Sequence, residues 1–155
     1  MFGTKMTVKG KGTPEEVVDM LRKYFERRGL NLNGHEVEGC PGFGYWLTEG
    51  SAKIYIFIQE CREGPALRVS SPILKFPENN REAFFKKLLE LNRDMIGCCI
   101  SVVDDIVMVG TQRSTKGLDQ EELNELVWNV SYVADLLDDQ LAADFGAPLY
   151  VEAPV

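Results

Sequence analysis

The chain has 155 residues, 45% hydrophobic and 26% charged, an ordinary globular composition long enough to bury a core without metal or disulfide staples. Its net charge of -7 argues against nucleic acid as a partner, because such binding depends on Lys and Arg neutralising phosphates. No apolar run approaches the ~20 residues that cross a bilayer, and MFGTKMTVKGKG lacks the apolar stretch of a secretory signal, so the expectation is a cytoplasmic protein with no membrane partner.

After this short basic leader, Thr13-Pro14-Glu15-Glu16 reads as a helix start, with Thr13 as cap, Pro14 in the first turn and Glu16 closing a capping box. Val17, Leu21, Tyr24, Phe25 and Arg28 recur at helical spacing, and Gly29-Leu30 supplies a left-handed stop near Arg28. Residues 31–44 are rich in Asn, Gly and Pro, which predicts a loop with at most a short strand around Glu36 to Glu38. Gly44 to Thr48, Lys53 to Glu60 and Ala66 to Ile73 are aromatic and β-branched runs separated by turn residues, the pattern of a three-stranded meander. In the middle strand Ile54, Ile56 and Ile58 point to the core, while Lys53, Tyr55, Phe57 and Gln59 point the other way.

Phe76 to Asn80 introduces a second helix, with Asn79 and Glu82 at capping-box spacing. Phe84, Leu88, Leu91 and Met95 form its apolar stripe, which Phe85 and Leu89 widen. Cys98 to Val103 and Ile106 to Thr111 then form a hairpin turning at Asp104-Asp105. The last helix opens with Asp119 as cap, Glu122 returning the bond, and Leu118 stapled against Leu123. Leu123, Val127, Val130, Ala134, Leu137 and Leu141 carry it through about seven turns to Gly146 and Pro148. The tail Leu149-Tyr150-Val151 is expected to pack. The fold class is therefore α+β: an antiparallel sheet of about five strands with three helices, order α-β-β-β-α-β-β-α, in one domain over residues 1–155.

No set of residues assembles into a catalytic group. His35 is the sole histidine and sits in a Gly/Asn loop without a Cys, Asp or Glu at ligand spacing, so it reads as a loop residue. Cys40, Cys61, Cys98 and Cys99 have no CxxC spacing; reduced thiols are expected, and neither a metal nor a redox site. Cys98 and Cys99, adjacent on a strand, would face opposite sides, with a small apolar role for at least one. Gly39-Cys40-Pro41-Gly42-Phe43-Gly44 lacks the Lys-Ser/Thr of a phosphate loop and leads into a strand, and Asp104 and Asp105 read as exposed turn residues. The expectation is no enzyme and no cofactor.

Trp46, Tyr55 and Phe57 are the candidate partner-binding residues. Tyr55 and Phe57 share the face opposite the isoleucines, and Trp46 reaches it from the neighbouring strand. Either these aromatics mark an interface or one of the helices covers them as a second core layer. From Gly117 onward the chain carries nine acids and no Lys or Arg, which makes either a solvated acidic face or a surface that steers a basic partner or a neighbouring subunit.

Over Phe84 to Phe145, the helix ending Leu88-Leu89-Glu90-Leu91-Asn92, the hairpin Ile100 to Thr111 and the opening Gly117 to Leu123 resemble the YbjN-type family of bacterial sensory transduction regulators. That family is similar in fold to type III secretion chaperones. The Gly-rich loop near Cys40 and the Cys98-Cys99 pair depart from its pattern. The resemblance implies no catalytic residue. It implies a homodimer able to hold an extended peptide or a regulatory protein. Two functions follow as expectations: a non-catalytic, chaperone-like or regulatory homodimer that binds a protein or peptide client, or a small-ligand sensor with its pocket between the sheet and the last helix.

Overall fold

The computed structural model describes residues 10–152; the basic leader lies, over residues 1–9, outside them. Helix α1 (Pro14–Glu26) starts in the predicted capping box: Thr13 Oγ1 accepts from the Glu16 N–H at 3.3 Å, and the Glu16 carboxylate accepts from the N–H groups of Gly12 and Thr13 at 2.8 and 3.3 Å. Val17, Leu21, Tyr24 and Phe25 are buried, and Gly29 takes the left-handed conformation (φ 71°) that ends the run. Arg28, which the spacing placed on this stripe, instead lays its guanidinium 3.7 Å over the Tyr24 ring and pairs with Glu49 at 2.5 Å.

The loop that follows makes a short helical turn at Leu32–Gly34 and then runs along the first strand, β1 (Phe43–Glu49). The strand expected around Glu36 to Glu38 is reduced to a single bridge between Glu36 and Tyr45, supported by hydrogen bonds from the Trp46 N–H to the His35 carbonyl and from the Val37 N–H to the Gly44 carbonyl. These bonds occupy outward backbone groups of an edge strand. The meander continues with β2 (Ala52–Cys61) and β3 (Gly64–Lys75).

Helix α2 (Arg81–Asp94) corrects the expected cap. Asn79 does not cap it; Asn80 precedes the helix in the left-handed conformation (φ 56°) without a side-chain cap, so the helix starts one residue later than the Asn79/Glu82 spacing implies. Phe84 and Leu88 are buried and Leu91 and Met95 pack against the core, but Leu89 is exposed. At 100° per residue Leu89 lies about 140° from Phe84, too far round to join the stripe.

Strands β4 (Cys99–Val103) and β5 (Ile106–Ser114) form the hairpin, with Asp104 at φ 54° supplying the turn that a glycine usually takes. The sheet order is β1-β2-β3-β5-β4, antiparallel throughout, with a bulge between Pro72 and Leu74. At the β4 edge the Asn92 side chain of α2 binds both backbone groups of Ile100, donating to its carbonyl at 3.0 Å and accepting from its N–H at 2.6 Å. Helix α3 (Gln120–Phe145) has its predicted capping box and staple, with Leu118 and Leu123 fully buried, and ends at Gly146 in the left-handed conformation. The tail then docks its backbone beside β3: the Tyr150 N–H bonds the Ile73 carbonyl at 2.9 Å, while the Leu149 and Val151 side chains stay exposed.

One sheet face carries the core. Tyr45, Leu47, Ile54, Ile56, Val69 and Val109 share one buried cluster with Val127, Val130, Ala134 and Leu137 of α3, and α1 and α2 add Val17, Leu21, Phe25, Phe84 and Leu88 to it. The three helices leave the opposite face uncovered, so they do not bury Trp46, Tyr55 and Phe57 as a second core layer.

Candidate functional site

The uncovered face is ordered by strand register. Trp46 pairs with Tyr55, Tyr55 with Ser70, Ser70 with Gly110 and Gly110 with Cys99, so these five residues form one row across all five strands. The next row runs from Gly44 through Phe57 and Arg68 to Gln112. The structure thus brings Trp46, Tyr55 and Phe57 together, half-buried, at the β1–β2 end.

Tyr55 and Phe57 stack with ring planes 3° apart at 6.3 Å. Phe57 lies across Gly44, where an added Cβ would fall 3.0 Å from its ring and 2.6 Å from the Cys40 sulfur. Glycine at this position lets the ring lie flat on the backbone. Lys53 sits between the Trp46 and Tyr55 rings, 4.7 and 5.4 Å from their centroids, and forms an ion pair with Glu152 of the tail. The Tyr55 hydroxyl donates to the same carboxylate at 2.7 Å. Burial and that bond push the Tyr55 hydroxyl pKa up, while the bonds from Lys53 and then Tyr55 hold the Glu152 carboxyl below the usual glutamate range.

At the other end the row shrinks to Ser70, Gly110 and Cys99. Between the longer side chains of Arg68, Met108 and Gln112 this opens a groove of about 370 Å³ across β3, β5 and β4. Sequence reasoning missed this half of the face. Its local signal was Gly110 inside the largely β-branched run Ile106 to Thr111, which marks a close backbone approach.

The other singled-out residues fall elsewhere. His35 packs between Phe25 and Trp46, at 5.4 and 4.8 Å, and its Nδ1 lies 2.9 Å from the Asn31 carbonyl; it supports the edge of the aromatic patch. All four cysteines are free thiols. Cys98 precedes β4 and packs against the core, where burial raises its thiol pKa, while Cys99 is exposed at the groove. Asp104 and Asp105 are exposed at the hairpin tip. No group of three or more His, Cys, Asp or Glu among the described residues is placed to hold a metal, and no helix among them is long and apolar enough to cross a membrane.

The space between sheet and α3 is filled by the core side chains. A recess of about 160 Å³ lies at one end of this interface, lined by Ser51, Lys53, Pro72, Asp138, Tyr150 and Glu152 among others. Pockets for small ligands usually hold ~300–1,000 Å³.

No curated protein matches the chain. A chain of the crystal structure of the ExsC–ExsE complex has the same fold, with a TM-score of 0.62 at 15% identity over 83% of this chain and 95% of that one. The crystal structure of YbjN from E. coli aligns with a TM-score of 0.49 at 14% identity, over 86% of this chain and 96% of that one. A family model matches residues 19–152, most of the chain, and the chain belongs to that family, described as T3SS (YopN, CesT) and YbjN peptide-binding chaperone 1.

Proposed function

We propose that this chain is a non-enzymatic, cytoplasmic protein-binding module, one domain acting as a homodimer, that holds a peptide segment of a protein client on the uncovered sheet face. The row from Trp46 to Cys99 carries the reading. It offers aromatic anchors at one end and a groove with a small-residue floor at the other, and backbone and side chains on both sides of it are already held by the fold. A client residue seated in the groove and an apolar one against Tyr55 would be desolvated together, the arrangement that concentrates binding energy in a few contacts. The family's description as peptide-binding supports the client class. The recess between sheet and α3 is too small to favour a small-ligand sensor.

Tyr55→Ala and Trp46→Ala together are expected to reduce client capture in pull-downs from a native lysate by about tenfold or more, two aromatic anchors being worth ~1–2 kcal/mol each. Unchanged capture, with thermal unfolding showing the variant folded, would remove the aromatic end from the site.

The dimer reading rests on the opposite end of the sheet. Leu89 of α2, Ile96 of the following loop and Val102, on the helix-side face of edge strand β4, are exposed, and a second copy is suited to cover them. Light scattering across a dilution series is expected to give twice the mass of the 17.4 kDa chain, and Leu89→Glu to return it to the monomer value. A wild-type protein that stays monomeric at every concentration would remove the dimer.

A further inference from the structure

A second apolar surface lies on α3, on the far side of the molecule from the open sheet face. Trp128, Tyr132 and Leu136 are 53%, 54% and 53% exposed, far more than the buried stripe of the same helix. They stand at i, i+4 and i+8, one line along the helix. Trp128 and Tyr132 stack with planes 7° apart at 5.0 Å, so the aromatic platform is preformed. At 100° per residue, Glu121, Glu125, Asp135 and Asp139 fall within about 100° of arc with these three: Glu121 and Glu125 before Trp128, Asp139 after Leu136, and Asp135 beside Leu136, where it accepts from the Ser51 N–H and hydroxyl at 3.0 and 2.9 Å. Beside the platform a recess of about 320 Å³ opens between α1 and α3, lined by Tyr24, Arg27, Arg28, Asn124, Glu125 and Trp128. The Tyr24 hydroxyl is buried with no hydrogen-bond partner among the described residues, and burial lifts its pKa to about 12. Arg28 is engaged by Glu49 and the Tyr24 ring, and Arg27 borders the recess.

Charge narrows the occupant. The helix carries acids throughout and no Lys or Arg between Gln120 and Phe145. Phosphate backbones and anionic lipid surfaces are repelled. A second copy laid symmetrically on this stripe would set the same four carboxylates against their equivalents. The complementary surface is an apolar line with cations at both ends, and the helical spacing of Trp128, Tyr132 and Leu136 fits a helix better than an extended strand. We propose that the outer face of α3 docks a cationic amphipathic helix of a protein partner, with Trp128 and Tyr132 as its anchors and the flanking acids setting its register. A Lys or Arg over Trp128 would add a cation–π contact.

The probe is a synthetic Leu/Lys peptide of about five helical turns with leucines at i, i+4 spacing, compared by calorimetry with a scrambled peptide of the same composition. The patterned peptide is expected to bind the full chain, and more weakly as salt rises. Trp128→Ala with Tyr132→Ala should weaken it about tenfold or more. Glu125→Gln with Asp139→Asn, both at exposed positions that leave the fold intact, should weaken it at low salt and flatten the salt dependence. Trp46→Ala with Tyr55→Ala should leave it unchanged, which separates this surface from the sheet face. Four results overturn the proposal: equal binding of the scrambled peptide, no loss in either α3 variant, loss in the sheet-face variant, or a change in the protein's own solution mass on Trp128→Ala with Tyr132→Ala. The last would mean that a second copy covers the stripe.

Discussion

Phe84→Ala is expected to destabilise the protein by about 3–5 kcal/mol, read as a shift of the denaturant midpoint at unchanged slope. Phe84 is fully buried, one of two buried side chains on α2, and its ring meets Phe145 of α3 edge-on at 5.2 Å and Phe85 at 5.8 Å. This contact ties the first turn of α2 to the C-terminal turn of α3. Total stabilities are ~5–15 kcal/mol, so the loss is a large share. The effect reaches the β4 edge, because Asn92 clamps Ile100 from the same helix. Loosening α2 releases that clamp and should weaken the proposed dimer surface with it. Phe84→Leu keeps most of the volume and should cost far less; equal losses for the two variants would mean that the ring packing is not what holds α2.

Much of this architecture was legible because its signals are local. The capping boxes at Thr13 and Asp119 and the isoleucine alternation in β2 each depend on residues within a few positions of one another. The chain therefore announces its elements before they pack. The cap of α2 was misread for the same reason: Asn79 and Asn80 are adjacent and chemically identical, and only the left-handed backbone at Asn80 distinguishes them. Leu89 was placed by hydrophobicity alone, which does not tell a core stripe from an exposed flank.

The candidate site was half legible. Tyr55 and Phe57 share a strand, so their common face follows from the period of two, and Trp46 joined them once the turn at Glu49 to Ser51 fixed the register. The groove was not legible, because it exists only where β3 pairs with β5 rather than with β4. That order brings Ser70 beside Gly110 and Gly110 beside Cys99, residues 40 and 11 positions apart in the chain. The acidic run of α3 was visible as composition. That Trp128, Tyr132 and Leu136 lie outward within it depended on which face of the helix the sheet takes.

The loop before β1 gives a graded test of how the aromatic end is held. Gly42→Ala is expected to cost about 2–5 kcal/mol, the left-handed backbone contributing about 1–2 and the rest coming from forced displacement. Gly42 has φ 80°, and an added Cβ would stand 2.4 Å from the carbonyl oxygen of Ile58, a backbone atom inside β2 that cannot rotate away. Gly39 has φ 72° but open space around it, so Gly39→Ala should cost only the backbone share, about 1 kcal/mol. Gly34 has neither constraint, and Gly34→Ala should be near neutral. Relief at Gly42 requires β1 to move away from β2 where Phe43 pairs with Ile58, next to Gly44, against which the Phe57 ring and the Cys40 sulfur both lie. Gly42→Ala should therefore lower client capture as well as stability, whereas Gly39→Ala should lower stability alone. Equal denaturant midpoints for the Gly39 and Gly42 variants would show that the loop gives way instead of the sheet, and that the aromatic patch is not positioned from this side.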